Sequence, residues 1–182
     1  MKKLFIVFVA LLVFTSCSRT PGEHPAPLAS ETVTAFLGLI QEGNYEEATA
    51  LATDDPFSGL EPEYRVIFQN LSYDISFESI VDDLYATVSL TISTIDFTAI
   101  MDDVMTEAFY WVFMEISDRE LLAKIETLLL EKLSEEDAPT ISTDLDIHLE
   151  LYENEWKIIV DEALTNALTG GLVSFADYVS SW

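Results

Sequence analysis

A chain of 182 residues has room for one domain with a real core. Its 33 acidic and 8 basic side chains leave a net charge of −25, which argues against nucleic acid as a partner, since binding phosphates takes clustered Lys and Arg. The same charge is repelled by an anionic membrane surface unless a covalent link holds the chain there, while a hydrophobic share of 49% means that acidity here does not signal disorder.

Residues 1–16 have the layout of a signal peptide: Lys2 and Lys3, an unbroken apolar run from Leu4 to Phe14, then the small Thr15 and Ser16. As a helix that run reaches only about 16 Å, short of the roughly 30 Å of a bilayer core, so it reads as a leader and not a permanent span. Cys17, the chain's one cysteine, follows directly. Phe14-Thr15-Ser16-Cys17 resembles the lipobox of bacterial lipoproteins, with Phe14 where Leu is usual. The resemblance implies that Cys17 is lipidated, becomes the new N-terminus and holds the chain on the extracytoplasmic face of the cell membrane. The alternative is ordinary cleavage nearby, leaving a free thiol or an intermolecular disulfide. Residues 17–29 then form a tether, since Pro21, Gly22, Pro25 and Pro27 leave it almost without large apolar side chains. His24 lies in it with no second ligand at metal-binding spacing.

The domain is expected over residues 30–182. Ser30 is placed as the cap of a first helix with the stripe Val33, Phe36, Leu37 and Ile40, ending at Gly43. Asn44 with Glu47 three positions on reads as a capping box for a second helix, with Tyr45, Ala48, Leu51 and Ala52 inward and Asp54-Asp55-Pro56 as its stop. A short helix is expected within the connecting stretch, from Pro62 to Phe68. Leu71, Tyr73, Ile75 and Phe77 then alternate with Ser72, Asp74, Ser76 and Glu78. Past Val81-Asp82-Asp83, Leu84, Ala86, Val88, Leu90 and Ile92 alternate with polar residues and Tyr85, giving a hairpin with one dry face.

A helical insertion over about residues 97–138 follows. Asp96 or Thr98 can cap a helix bearing Ile100, Met101, Val104, Met105 and Ala108. Ser117 with Glu120 forms a capping box for the next, with Leu121, Leu122, Ile125, Leu128, Leu129 and Leu133 as its stripe. The stretch from Ala108 to Met114 is apolar around nearly the whole helix. A helix of that kind is usually buried, so it is expected between the sheet and the second insertion helix; the other reading is a surface for a partner, lipid or ligand, centred on Phe109, Trp111 and Phe113.

From Asp144 to Asp161 the period-two pattern returns. Leu145, Ile147, Leu149 and Leu151 alternate with Asp146, His148 and Glu150, and Trp156, Ile158 and Val160 alternate beyond Glu153-Asn154. An even-numbered loop sets Leu151 opposite Trp156, Leu149 opposite Ile158 and Ile147 opposite Val160, with Glu150 beside Lys157 on the wet face. Asp161 can cap a helix from Glu162 to Thr169 that stops at Gly170-Gly171, and a short docking helix is expected over Leu172–Trp182.

Amphipathic helices beside ribbons with one apolar face imply an α+β domain, an antiparallel sheet of about four strands with helices on one face. The first helix, Gly43-Asn44-Tyr45-Glu46-Glu47-Ala48, a hairpin ending near Asp96 and the Trp156-Lys157-Ile158 strand resemble the nuclear transport factor 2-like (cystatin-like) superfamily, and within it the small secreted bacterial lipoproteins of unknown function. The likeness covers about residues 30–96 and 141–161, with Asp82-Asp83 and Glu153-Asn154 where turn glycines are usual. It implies a curved antiparallel sheet wrapped around helices, often with a cone-shaped pocket. Members include enzymes and pure binding modules, so the fold assigns no activity.

The pattern supplies no His-Glu-x-x-His, Cys-x-x-Cys, phosphate loop or calcium loop. Asp144, Asp146, His148 and Glu150 share a strand face but come from one segment, where a solvated face is expected and not a metal site. The positions facing a pocket are apolar, with polar tips on Tyr73 and Trp156, so no group for acid–base chemistry is expected inside. The expected function is a non-catalytic binding or protein-interaction module without cofactor or metal, taking an apolar small molecule or an envelope protein through Tyr73, Phe109, Trp111 and Phe113. The alternatives are an enzyme acting on a small apolar substrate, with Glu61, Glu63, Tyr64 or Arg65 entering the mouth, and a structural spacer of the envelope.

Overall fold

A computed structural model describes residues 28–114 and 116–174. The expected leader, Cys17, most of its tether and most of the docking segment lie outside the described residues, and Ala29, expected as the end of the tether, already belongs to the first helix. A four-stranded, curved and unclosed antiparallel sheet forms the body, in the order β1 (Ser72–Ile80), β2 (Tyr85–Ile95), β3 (Thr140–Tyr152), β4 (Glu155–Ile158). Helices α1 (Ala29–Gln41) and α5 (Glu162–Leu168) cover its apolar face. Here Val33, Phe36, Leu37 and Ile40 close against Val88, Leu90, Ile92, Ile147, Leu149 and Ile158, all buried. The space where a cone-shaped pocket would open is filled by these side chains.

The α1 stripe ends as its glycine requires. Gly43, at φ +79°, lets the Asn44 amide donate to the Leu39 carbonyl (2.8 Å) and its own amide donate to Ile40 (3.0 Å). That closure overturns the capping box expected at Asn44. Its side-chain amide donates to Glu42 (3.1 Å), so α2 (Tyr45–Ala50) starts without a side-chain cap. Tyr45 instead meets Phe57 and Phe68 with ring centroids 5.1 and 5.6 Å away, under the guanidinium of Arg65. The short 3-10 helix Pro62–Phe68 stands where proline at its first position places it.

The strand β1 departs from strict alternation. Ile75 pairs with Leu90 but Phe77 pairs with Ser89, so one residue, Ser76, is extra, and its hydroxyl donates to the Ser89 carbonyl (2.9 Å). This bulge inverts the rest of the strand. Phe77, expected inside, is 63% exposed on the outer face. Glu78, expected outside, turns to α1, where it accepts from the Ala29 amide (3.1 Å) and the Ser30 hydroxyl (2.5 Å). Ser30 is therefore not the cap of α1; the helix begins one residue earlier, with a carboxylate from the sheet at its positive end. Leu84, also expected inside, is exposed, because Asp82 takes the amides of Leu84 (2.8 Å) and Tyr85 (3.0 Å) and draws it into the turn.

The last hairpin has the expected even register. Leu149 faces Ile158 and Leu151 faces Trp156 around a two-residue turn, Glu153 at φ 51° and Asn154 at φ 68°. Pairing stops at Ile158, so Val160 does not reach Ile147 as a strand partner. Glu150 stands opposite Lys157, but the Lys157 ammonium goes to Glu155 (3.1 Å) and the Ala50 carbonyl (2.9 Å) instead. Trp156 is 5% exposed, as a core anchor should be. Asp161 caps α5 through the Leu164 amide (2.8 Å). Gly170, at φ +62°, passes so close to β2 that its carbonyl accepts from the Phe97 amide (3.0 Å).

Candidate functional site

The insertion between β2 and β3 is a pair of helices, α3 (Phe97–Trp111) and α4 (Asp118–Leu133). Asp96 caps α3 through the Ala99 amide (3.0 Å). Ser117 and Glu120 form the expected reciprocal box, with the Ser117 amide donating to Glu120 (3.0 Å) and the Glu120 amide to the Ser117 hydroxyl (3.3 Å). The Ser117 amide and then its hydroxyl (3.0 Å), both donating to the Glu120 carboxylate, hold that carboxyl below its ordinary pKa. Phe97, Ile100 and Val104 belong to the continuous core, and Leu133 joins it from α4. Beyond Val104 the two helices have mainly each other, with Lys132 bonded to Glu107 (3.2 Å) and Lys124 over the Trp111 ring at 5.4 Å. The Glu107 carboxylate raises the Lys132 pKa.

Burial was expected for Ala108–Met114, and the structure overturns it. Ala108 and Trp111 turn toward α4, three residues apart and so on one face of α3. Phe109 is 61% and Phe113 73% exposed, and Tyr110, Val112 and Met114 stand in solvent with them. The reason is packing: α4 is the main neighbour of α3, and one helix cannot cover its whole circumference. Phe109 and Phe113 stack edge to face at 5.2 Å, and Phe109 meets Tyr110 at 6.2 Å. Met105 continues this face toward the body, beside a groove of about 530 Å³ shared with Asp102, Thr106, Phe109 and Tyr110.

Of the four residues expected to bind, the structure brings Phe109 and Phe113 together and sets Trp111 against α4. Tyr73 stands apart on β1, half-buried against α1, where its hydroxyl donates to the Thr34 carbonyl (3.4 Å). Glu61 and Tyr64 do enter a cleft, an apolar one of about 360 Å³ with Leu60, Ile67, Phe97 and Leu129 on its walls. Burial first, then the nearby Glu126, Glu61 and Glu63 carboxylates, pushes the Tyr64 phenol above its ordinary pKa. Glu63 and Arg65 line a different groove, with Tyr45. The sequence reading named no such cleft, because its walls come from four separate segments.

The outer face of the sheet carries paired polar side chains. Ser89 donates to Asp146 (2.5 Å), Thr91 donates to Asp144 (2.7 Å), Thr87 meets His148 (3.2 Å) and Ser93 meets Ser142 (2.6 Å). Asp144 and Asp146 thus each have a hydroxyl partner across the strands, and among the described residues no group of three or more His, Cys, Asp or Glu side chains converges as a metal site would need.

The described residues define an α+β domain of four strands with a two-helix insertion whose far end is aromatic and exposed. No family model matches the chain, and no curated protein matches it. Among solved structures it is similar to the inferred lipoprotein YcdA of Bacillus subtilis subsp. subtilis, with 13% identity and a TM-score of 0.47 over 76% of this chain and 46% of that one. This chain thus spans less than half the length of that protein.

Proposed function

We propose that the chain is a lipoprotein anchored through Cys17 on the extracytoplasmic side of a membrane, with a non-catalytic interaction domain of nuclear transport factor 2-like type. The anchor is supported by the short leader ending at the chain's one cysteine. No described helix is long and apolar enough to cross a membrane. The superfamily reading is supported by α1 with its Gly43-Asn44 closure packed into a curved meander. The observation that carries the interaction role is the aromatic end of α3, several large apolar side chains gathered outside the core.

The test is a photo-crosslinking amino acid at Tyr110 of the anchored chain in its own membranes, compared with one at Ser142 on the polar sheet face. A discrete adduct from Tyr110 alone is expected, and equal or absent labelling from both positions removes the interaction role. Replacing Cys17 with Ser should release the chain from the membrane fraction; unchanged partitioning after complete leader removal removes the anchor.

A second reading has one observation behind it, the apolar cleft beside Glu61 and Tyr64, sized for a small apolar molecule. As a binding site it suits the non-catalytic reading, because burial has moved its phenol further from neutrality. An enzyme would need Glu61 as its proton-transferring group, so a measured turnover abolished by Glu61→Gln would favour catalysis.

A further inference from the structure

Helix α3 carries two apolar faces and uses one of them. Ile100, Val104, Ala108 and Trp111 recur at helical spacing toward the core and α4. Met105, Phe109 and Val112 recur at the same spacing on another side, with Phe113 next to Val112, and all four are more than half exposed. A stripe at intervals of four and three is what one helix offers a second. The run that looked apolar all round is therefore two stripes laid side by side.

What can lie on the free stripe is limited by charge and by position. Asp102 shares the groove with Met105, Phe109 and Tyr110, whereas Asp103 lies on the α4 side of the helix, near Lys132. The nearby cations are engaged elsewhere, Lys132 with Glu107 and Lys124 over Trp111. A second copy would bring the same acids and another −25 charges to the contact. An anionic lipid surface is repelled for the same reason. The tether joins at the start of α1, which Glu78 fixes beside Val88 of β2. Helix α3 leaves from the other end of β2, about 23 Å further along at strand rise, and packs on α4. Helix α3 thus starts at the end of β2 away from the start of α1.

We propose that the Met105–Phe109–Val112 stripe docks a cationic amphipathic helix of another protein, its apolar side on Phe109 and Phe113 and a Lys or Arg beside Asp102. This rests on the interaction role above and gives it a chemistry. Met and aromatic side chains suit such a contact, since they adapt to the shape laid on them while contributing large apolar area.

The probes are three labelled peptides: a Leu/Lys amphipathic helix, its Leu/Glu counterpart with the same apolar side, and a Lys-rich scramble without an apolar side. Anisotropy is followed with the full chain carrying Cys17→Ser. The Leu/Lys helix should bind best, losing at least tenfold in affinity with Phe109→Ser plus Phe113→Ser and severalfold with Asp102→Asn. Circular dichroism should show both variants folded, and a variant that fails this is replaced by Phe113→Ser alone. Equal binding of the Leu/Glu helix overturns the cationic partner while leaving the interaction role standing. Equal binding of the scramble shows plain charge attraction and overturns the docking site. Concentration-dependent dimers lost with Phe113→Ser, or binding to phosphatidylcholine vesicles lost with it, would assign the stripe to a second copy or to lipid and overturn the proposal.

Discussion

Two groups of aromatic rings in this molecule have nearly the same internal geometry and opposite surroundings. Tyr45, Phe57 and Phe68 meet with centroids 5.1 to 5.6 Å apart, and Phe109 and Phe113 meet at 5.2 Å. Phe57 and Phe68 are buried in the body, where three segments converge on them, while Phe109 and Phe113 have one another and water. Ring contacts between neighbours on one helix therefore say nothing about burial. What separates the groups is how many elements arrive from elsewhere in the chain.

That comparison can be broken from either side. Phe68→Ala, or Trp156→Ala on β4, should cost about 3–5 kcal/mol in denaturant unfolding, as large aromatic truncations in a core do. A loss under about 1 kcal/mol at both would mean the body is not the cohesive half. Gly170→Ala tests the seam between body and insertion. A Cβ there would sit 1.7 Å from the Ile95 carbonyl oxygen, at φ +62°, so the loop must move. The expected loss exceeds the roughly 1 kcal/mol of a backbone-incompatible alanine, with the Phe97 amide exchanging faster.

Two carboxylate caps sharpen the contrast further. Glu78→Ala removes the acceptor at the start of α1 and should cost about 1 kcal/mol, as lost caps do. Glu120 at the start of α4 tests the same device by pH. Its folded pKa is depressed, so its contribution is present above the unfolded value near 4.5 and is lost as pH falls through the lower folded value. Protection of the Ser117 and Glu120 amides from exchange should weaken in that acid window; unchanged protection down to pH 2 would count against the box. The smallest effect belongs to the exposed rings. Phe113→Ser should change global stability by no more than about 0.5 kcal/mol, as surface substitutions do, and a larger loss would show the patch to be structural.

Where local chemistry decides, the sequence was a good guide. Asp96, Asp161 and the Ser117–Glu120 box cap the helices they were expected to cap, and the even loop at Glu153-Asn154 fixed a register that the strands obey. The lost box at Asn44 and the exposed Leu84 come from near neighbours, Glu42 and Asp82, but the other failures share one cause, a partner distant in the chain. Nothing near Ser30 announces that a carboxylate 48 residues away will take its hydroxyl. A bulge at Ser76 leaves composition untouched yet moves Phe77 out and Glu78 in. The exposure of Phe109 and Phe113 turns on α3 having α4 as its main neighbour, which periodicity within α3 does not encode. The apolar cleft beside Glu61 was invisible for the same reason.

The bulge at Ser76 also bears on how such molecules meet when crowded. At high local concentration a sheet with free edges can stitch itself to its neighbours. Here the edge strand β1 is broken in register between Ile75 and Phe77, so it offers no long straight template. The other edge, β4, is four residues long and already occupied, since Ile158 donates to the Leu51 carbonyl (2.9 Å) and accepts from the Thr53 amide (2.8 Å). Crowding on a surface would then leave the sheets separate, and any assembly of these chains would have to run through side chains.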